Sequence, residues 1–314
     1  MNNFLDNLLQ IKKFMPLNDE DQQSLKQIEK QCINKIRHDI KKCGTSDLFL
    51  LQSQDGNFLS HVSVILNLNN LAIEILKHEE IANKKNKDNE TMAFTAIKYK
   101  NYYIANKCLN CPSIVTTLCN NTYFFFLATK HAESVQFLNN LIDNYPQYLK
   151  LKDCYNEPLT FYLVRNKKTK QAIKIIKQYP EIAKIKNIDG DTMGHIAFDE
   201  QNLAVLNAWI ENKNLRRIQN KYKQSVVHLL AIENKKSKLL EQIIKDLVAL
   251  KQQDYLGNTP VHYFCENSNI KLAHAGFKIK DIHCQLNNKG NSVTDIAREK
   301  NDLIAIANYD DHEK

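Results

Sequence analysis

The sequence predicts an all-α fold, a solenoid of short helix pairs, and three observations predict it. Eight segments resemble one another when aligned on Phe58, Thr91, Thr122, Glu157, Thr192, Ser225, Thr259 and Ser292, positions spaced 33, 31, 35, 35, 33, 34 and 33 residues apart. A fixed period in this range marks a supersecondary unit that cannot bury its apolar face alone and stacks on its neighbours. A second residue type keeps the same period: Pro112, Pro146 and Pro180 stand 34 residues apart, each placed to follow a helix it cannot continue. Third, seven glycines and six prolines serve 314 residues, too few for a chain of many tight β-turns.

The elements follow in order. Residues 1–53 carry no repeat signature. Leu25, Ile28, Cys32, Ile33, Ile36 and Ile40 recur there at helical spacing behind Asn18-Asp19-Glu20-Asp21, an N-cap with acid in the first turn, and Gly44 offers a stop. This region is read as a helical cap on the open end of the stack. Residues 54–307 hold the repeats. In the fifth, Ile196, Ala197, Leu203, Val205, Leu206, Trp209 and Ile210 form two apolar stripes separated by the polar break Asp199 to Asn202, the pattern of two helices joined by a tight loop. Gly56, Gly190, Gly257 and Gly290 sit at the one turn position that needs positive φ. Residues 308–314 form an acidic tail.

The units Asp254-Tyr-Leu-Gly-Asn-Thr-Pro-Val-His262 and Ile188-Asp-Gly-Asp-Thr-Met-Gly-His195 resemble the ankyrin repeat, a 33-residue turn and helix pair with a T-P-L-H-x-A signature. The resemblance implies an ankyrin-repeat solenoid of about eight helix-turn-helix repeats. It also implies roles: Thr192 and Thr259 cap first helices and bond the histidine three residues on, while His61, His195, His228 and His262 tie down a neighbouring loop. Departures are placed at Phe94, Phe125, Thr160 and Asp295 for the histidine, and at Phe58 and Glu157 for the capping threonine.

Composition bounds the function. Hydrophobic residues at 43% and charged residues at 25% suit a folded chain with a sizeable core, and no run reaches the roughly eighteen apolar residues a membrane span needs. The amino terminus lacks a basic start and a cleavage site, so no secretory signal is expected. Eight scattered cysteines suggest reduced thiols in a cytoplasmic setting. Cys265 beside His262 is read as core filling, and Cys108-Leu-Asn-Cys111 lacks the second ligand pair a structural zinc would want. No metalloprotease, phosphate-loop, nucleophile-elbow or dinucleotide motif occurs. No cofactor, no metal and no catalytic residue is therefore expected.

Net charge is +8, and it is concentrated: Arg165 to Lys238 holds sixteen Lys/Arg against seven Asp/Glu. Such a segment serves as a solvated face or attracts an acidic protein; aromatic residues are too sparse for a nucleic-acid stacking platform. The reading is a non-enzymatic protein-protein interaction module that grips its partner through loop tips, with Lys87, Lys186, Asn187, Lys221, Tyr222, Asp254, Tyr255 and Asn288 as contacts. The Lys, Asn and Ile bias, the divergent repeats and the acidic tail resemble ankyrin effectors that intracellular bacteria deliver into host cytoplasm by type IV secretion, which implies a host partner. Two alternatives stand beside it: an enzyme with a cryptic Cys/His site, and a binder of phosphoinositide or nucleic acid through the basic middle.

Overall fold

The computed structural model describes residues 3–12, 19–233, 239, 242–277, 279 and 282–300; Asn18, residues 301–307 and the acidic tail at 308–314 lie outside them. The chain forms two compact units, Met1–Cys154 and Tyr155–Lys314. Both are all-α among the described residues, with isolated β-bridges where strands would otherwise be, and both are ankyrin-type stacks of helix pairs.

In the first unit, the helices Asn3–Lys12 and Asp19–Cys43 precede three repeats. Leu25, Glu29, Cys32 and Ile36 are the buried positions of the longer helix, spaced so that one face points inward. That face meets the second helix of repeat one, Asn69–Leu76, and Glu29 supplies its missing cap: the carboxylate accepts from the Asn70 and Leu71 N–H groups at 2.8 and 3.0 Å, satisfying two orphan donors. The helix stops at Gly44, whose φ is +78° and whose N–H reaches Ile40 O. First helices Leu59–Ile65, Met92–Lys98 and Phe124–Ala128 then lie against one another in sequence. The core of repeat three is aromatic: Phe124, Phe125, Phe126 and Phe137 are fully buried and meet at ring-centroid distances of 5.1 to 6.2 Å, the range of favourable edge-to-face and tilted pairs.

The second unit repeats the plan, with first helices Leu159–Arg165, Met193–Asp199, Val226–Glu233, Pro260–Glu266 and Val293–Glu299 each packed on the next. A tight helix-helix approach occurs in repeat five, where Gly194 faces the fully buried Trp209 of the second helix Leu203–Glu211. A Cβ on Gly194 would sit 2.4 Å from two indole ring carbons. Replacing a helix-interior glycine by alanine ordinarily gains about 1 kcal/mol, but overpacking a rigid ring costs about 1–3 kcal/mol. Gly194→Ala is expected to lower the urea midpoint, and Gly194→Ala with Trp209→Leu to cost less than the two single changes added.

The structure corrects the sequence alignment at repeats three and four. First helices are capped by Phe58, Thr91, Tyr123, Pro158, Thr192, Thr259 and Ser292, with Ser225 before Val226, so Thr122 and Glu157 each stand one residue early. At repeat three the reason lies in the tip. There Cys119 bridges directly to Thr122 across Asn120 and Asn121, both left-handed at φ +50° and +67°, a two-residue turn that asparagine tolerates. The other bridges span six residues, as in Gln52 to Phe58. With the register corrected, the histidine position holds Phe126 and Phe161 rather than Phe125 and Thr160, so Phe94, Phe126 and Phe161 occupy it in three consecutive repeats, all buried. Thr122 and Thr160 end with buried hydroxyls that have no hydrogen-bond partner.

Candidate interaction surface

Five of the tips are built from a residue five before the helix cap. Asn86, Asn187, Asn220, Asp254 and Asn287 accept from the N–H groups two and four residues on, at 2.9 to 3.1 Å. This is an Asx turn that folds the chain back without a β-strand. Two residues before the cap the backbone is left-handed, at Gly56, Asn89, Asn121, Asn156, Gly190, Lys223, Gly257 and Gly290. At Gly190 and Gly257 glycine is needed twice over, because a Cβ there would also lie 2.7 Å from the Lys221 and Asn288 main-chain nitrogens.

Those nitrogens belong to the next tip. Within the second unit, Lys221 N–H donates to Asp189 O at 3.0 Å, Tyr255 N–H to Tyr222 O at 2.9 Å and Asn288 N–H to Leu256 O at 3.0 Å. Side chains add a parallel series: Lys186 Nζ donates to Gln219 O, Gln219 Nε2 to Gln253 O and Gln253 Nε2 to Leu286 O, at 2.7 to 3.0 Å. Successive tips are thus bonded into one edge. In the first unit Lys87 Nζ reaches Gln54 O at 2.5 Å, and its stem lies over Gly56.

Below the tips, the histidines join repeats. His195 Nδ1 lies 3.2 Å from the Thr192 nitrogen and 2.8 Å from its hydroxyl, while Nε2 lies 2.9 Å from Gln224 O. A carbonyl can only accept, so Nε2 carries the proton and Nδ1 accepts from the Thr192 N–H. His228 makes the same arrangement with Ser225 and Gln252 O, and His61 with the Phe58 N–H and Glu90 O. His262 Nδ1 meets Thr259 at 2.8 Å, but its Nε2 is buried beside the Gln285 and Asn291 backbone without a bond of proper geometry. Burial holds all four imidazoles below their ordinary pKa, to about 4 for His61 and His228. In repeat eight Asp295 takes the histidine's place, with Ser292 donating to its carboxylate from both N–H and hydroxyl.

This geometry sorts the sequence-predicted contacts. Asp254 is turned inward: it is 4% exposed and also accepts from the Tyr263 hydroxyl at 2.5 Å. Asn187 is likewise spent on its own turn. Lys186 and Lys87 are exposed but bond neighbouring carbonyls, Lys221 pairs with Asp189, and Asn288 Nδ2 reaches Tyr255 O at 2.9 Å. Tyr222 and Tyr255 project, 53% and 69% exposed. Three residues that sequence reasoning missed stand with them, Tyr155, Ile188 and Leu256, at 68%, 78% and 53%. Their signal was present: each tip of the second unit through repeat seven carries a large apolar residue three or four places before its helix cap, where the Asx turn leaves no core to receive it. The basic residues expected to draw an acidic partner lie largely elsewhere, with Lys170, Lys174 and Lys177 on the second helix Thr169–Gln178 and Lys213 and Arg216 on the short helix that follows repeat five.

Cys108, Cys119 and Cys265 are buried, and Cys154 and Cys284 are exposed. Burial raises the Cys108, Cys111 and Cys119 thiols above their ordinary pKa, which suits packing rather than nucleophilic chemistry. Among the described residues no group of three or more His, Cys, Asp or Glu is placed to hold a metal ion, and no helix is long and apolar enough to cross a membrane.

No protein-family model matches the chain, and no curated protein matches it. Among solved structures it is similar to the crystal structure of the ankyrin repeat domain of Bcl-3, described as a unique member of the IkappaB protein family. The likeness has 13% identity and a TM-score of 0.47, over 80% of this chain and 99% of that one. The ankyrin-type architecture itself is carried by the turn, cap and histidine bonds that recur within this chain at its own period.

Proposed function

We propose that the protein is a binding module that engages a protein partner along the tip edge of its second unit. The observation that supports this is the apolar row Tyr155, Ile188, Tyr222 and Tyr255-Leu256, five large side chains on four consecutive tips, each more than half exposed. Monomers rarely display contiguous apolar rows of this kind without a partner, and tyrosines on rigidly bonded backbone contribute contact area at low entropic cost. The tip edge offers such rigidity from repeat five to repeat eight, where main-chain and side-chain bonds fix each turn to the next.

Affinity capture with the full chain tests this. A variant carrying Ile188→Ser, Tyr222→Ser, Tyr255→Ser and Leu256→Ser is expected to keep its thermal unfolding curve, since exposed substitutions shift stability by about 0.5 kcal/mol or less each. It is expected to bind a captured partner at least about 30-fold more weakly, the size of one lost hot spot. Undiminished binding by a folded variant would refute the assignment of this edge.

A further inference from the structure

The chemistry of the partner can be read from the face next to the tips. On the first helices of the second unit, the last turn carries a carboxylate in four consecutive repeats: Asp199 and Glu200, then Glu233, Glu266 and Glu299, all exposed. Among the described residues Asp199, Glu233, Glu266 and Glu299 form no ion pair. At Asp199, burial and then the nearby charges of Asp191, Glu200 and Glu233 hold the carboxyl above its usual range, against Arg165. Apolar surface lies between them, half-buried at Phe198 and 38% exposed at Ile232. Tip and helix face share one cleft of about 360 Å³, whose lining includes Leu256, Tyr263, Glu266, Ile296 and Glu299 together with Lys289 and Lys300. Of the tip lysines, Lys186 bonds the Gln219 carbonyl and Lys221 pairs with Asp189, while Lys170, Lys174 and Lys177 lie on the second helix of repeat four.

We propose, resting on the protein-binding reading above, that this face takes a cationic, extended polypeptide segment, not an acidic one. Stacked helices are about 8–10 Å apart. In a polyproline-type chain residues three apart point the same way and are separated by about 9 Å, so lysine or arginine at every third position would meet one carboxylate per repeat. Bulky apolar residues between them would rest on Phe198, Ile232 and Leu256 and on the tyrosines of the tips. An α-helix running the same way would match that spacing with a same-facing residue only about every seventh position.

Selection from a display library of random sixteen-residue peptides against the full folded chain tests the assignment. Enriched sequences are expected to carry Lys or Arg at three-residue spacing. One enriched peptide, made synthetically, should bind Glu233→Gln/Glu266→Gln about tenfold more weakly and weaken further as salt is raised. Enrichment of acidic or neutral peptides, or a basic spacing of seven, would overturn the proposal. So would binding lost in the Ile188/Tyr222/Tyr255/Leu256 serine variant yet unchanged in Glu233→Gln/Glu266→Gln, an outcome that spares the protein-binding reading. No enrichment over the urea-unfolded chain would overturn both.

Discussion

Acidification from pH 7 to pH 4 is expected to unfold much of this protein, with the loss of stability beginning above the range where carboxylates titrate. His61 in the first unit and His228 in the second are fully buried and neutral, each held to a pKa of about 4 chiefly by burial; at His228, Asp254 opposes that shift and His195 adds to it. The unfolded chain takes up a proton on each near pH 6.5, and the folded chain does so only near 4. Stability is therefore whole above about pH 6.5, falls as pH drops through that interval, and stops falling from this source below about 4. A gap of this size is worth about 3 kcal/mol for each histidine, against a typical total of about 5–15 kcal/mol. Circular dichroism follows the whole chain, and Trp209, the single tryptophan, reports the second unit. His228→Gln is expected to flatten the pH dependence of the tryptophan signal although it weakens the fold at neutral pH. An unchanged slope in that variant would show that His228 is not the titrating group.

The second large effect is expected at Asp246. This carboxylate, 1% exposed, pairs with Arg216 at 2.6 Å and Arg217 at 2.7 Å and also accepts from the Ala249 N–H as the cap of the helix Leu247–Lys251. Arg216 is itself 8% exposed and donates as well to Ile210 O at 3.1 Å. Removing one partner from a buried pair leaves an uncompensated charge, at a cost of about 3–5 kcal/mol, so Asp246→Ala should lower the urea midpoint more than any exposed substitution. Asp246→Asn, which keeps an acceptor for the cap but not the charge, should recover part of the loss. Burial alone would raise the pKa of Asp246, yet the hydrogen bonds from Arg217 and Arg216 outweigh it and the folded value is lowered. Its contribution is accordingly present above the unfolded carboxylate range and lost only as pH falls through the folded value, below the histidine interval. Equal midpoints for Asp246→Ala and the parent chain would refute the cluster's importance.

The period was legible in the sequence because it is a property of length: every repeat must return the chain to the same edge. Gly190 and Gly257 were legible for a steric reason, since their positions combine left-handed φ with a main-chain nitrogen at 2.7 Å from where a Cβ would stand. The register of repeats three and four was not, because threonine at 122 imitates a cap that the backbone places at Tyr123. Asp254 and Asn187 misled for a related reason. A polar residue in a turn looks like surface, but an Asx turn closes by turning that side chain inward onto its own backbone. The exposed apolar residues Ile188 and Leu256 carried the converse message, and it is read only once the turn has removed every buried place they could occupy.

The targets of the histidines have a wider consequence. Glu90, Gln224 and Gln252 are engaged through their carbonyl oxygens, a group every amino acid offers. Whatever side chain stands at the receiving position, the latch still closes, provided the distance along the chain is right. Modules joined by such a latch can thus drift apart in spelling while their pitch is policed, and a one-residue deletion between a cap and the next latch should be felt more keenly than many substitutions.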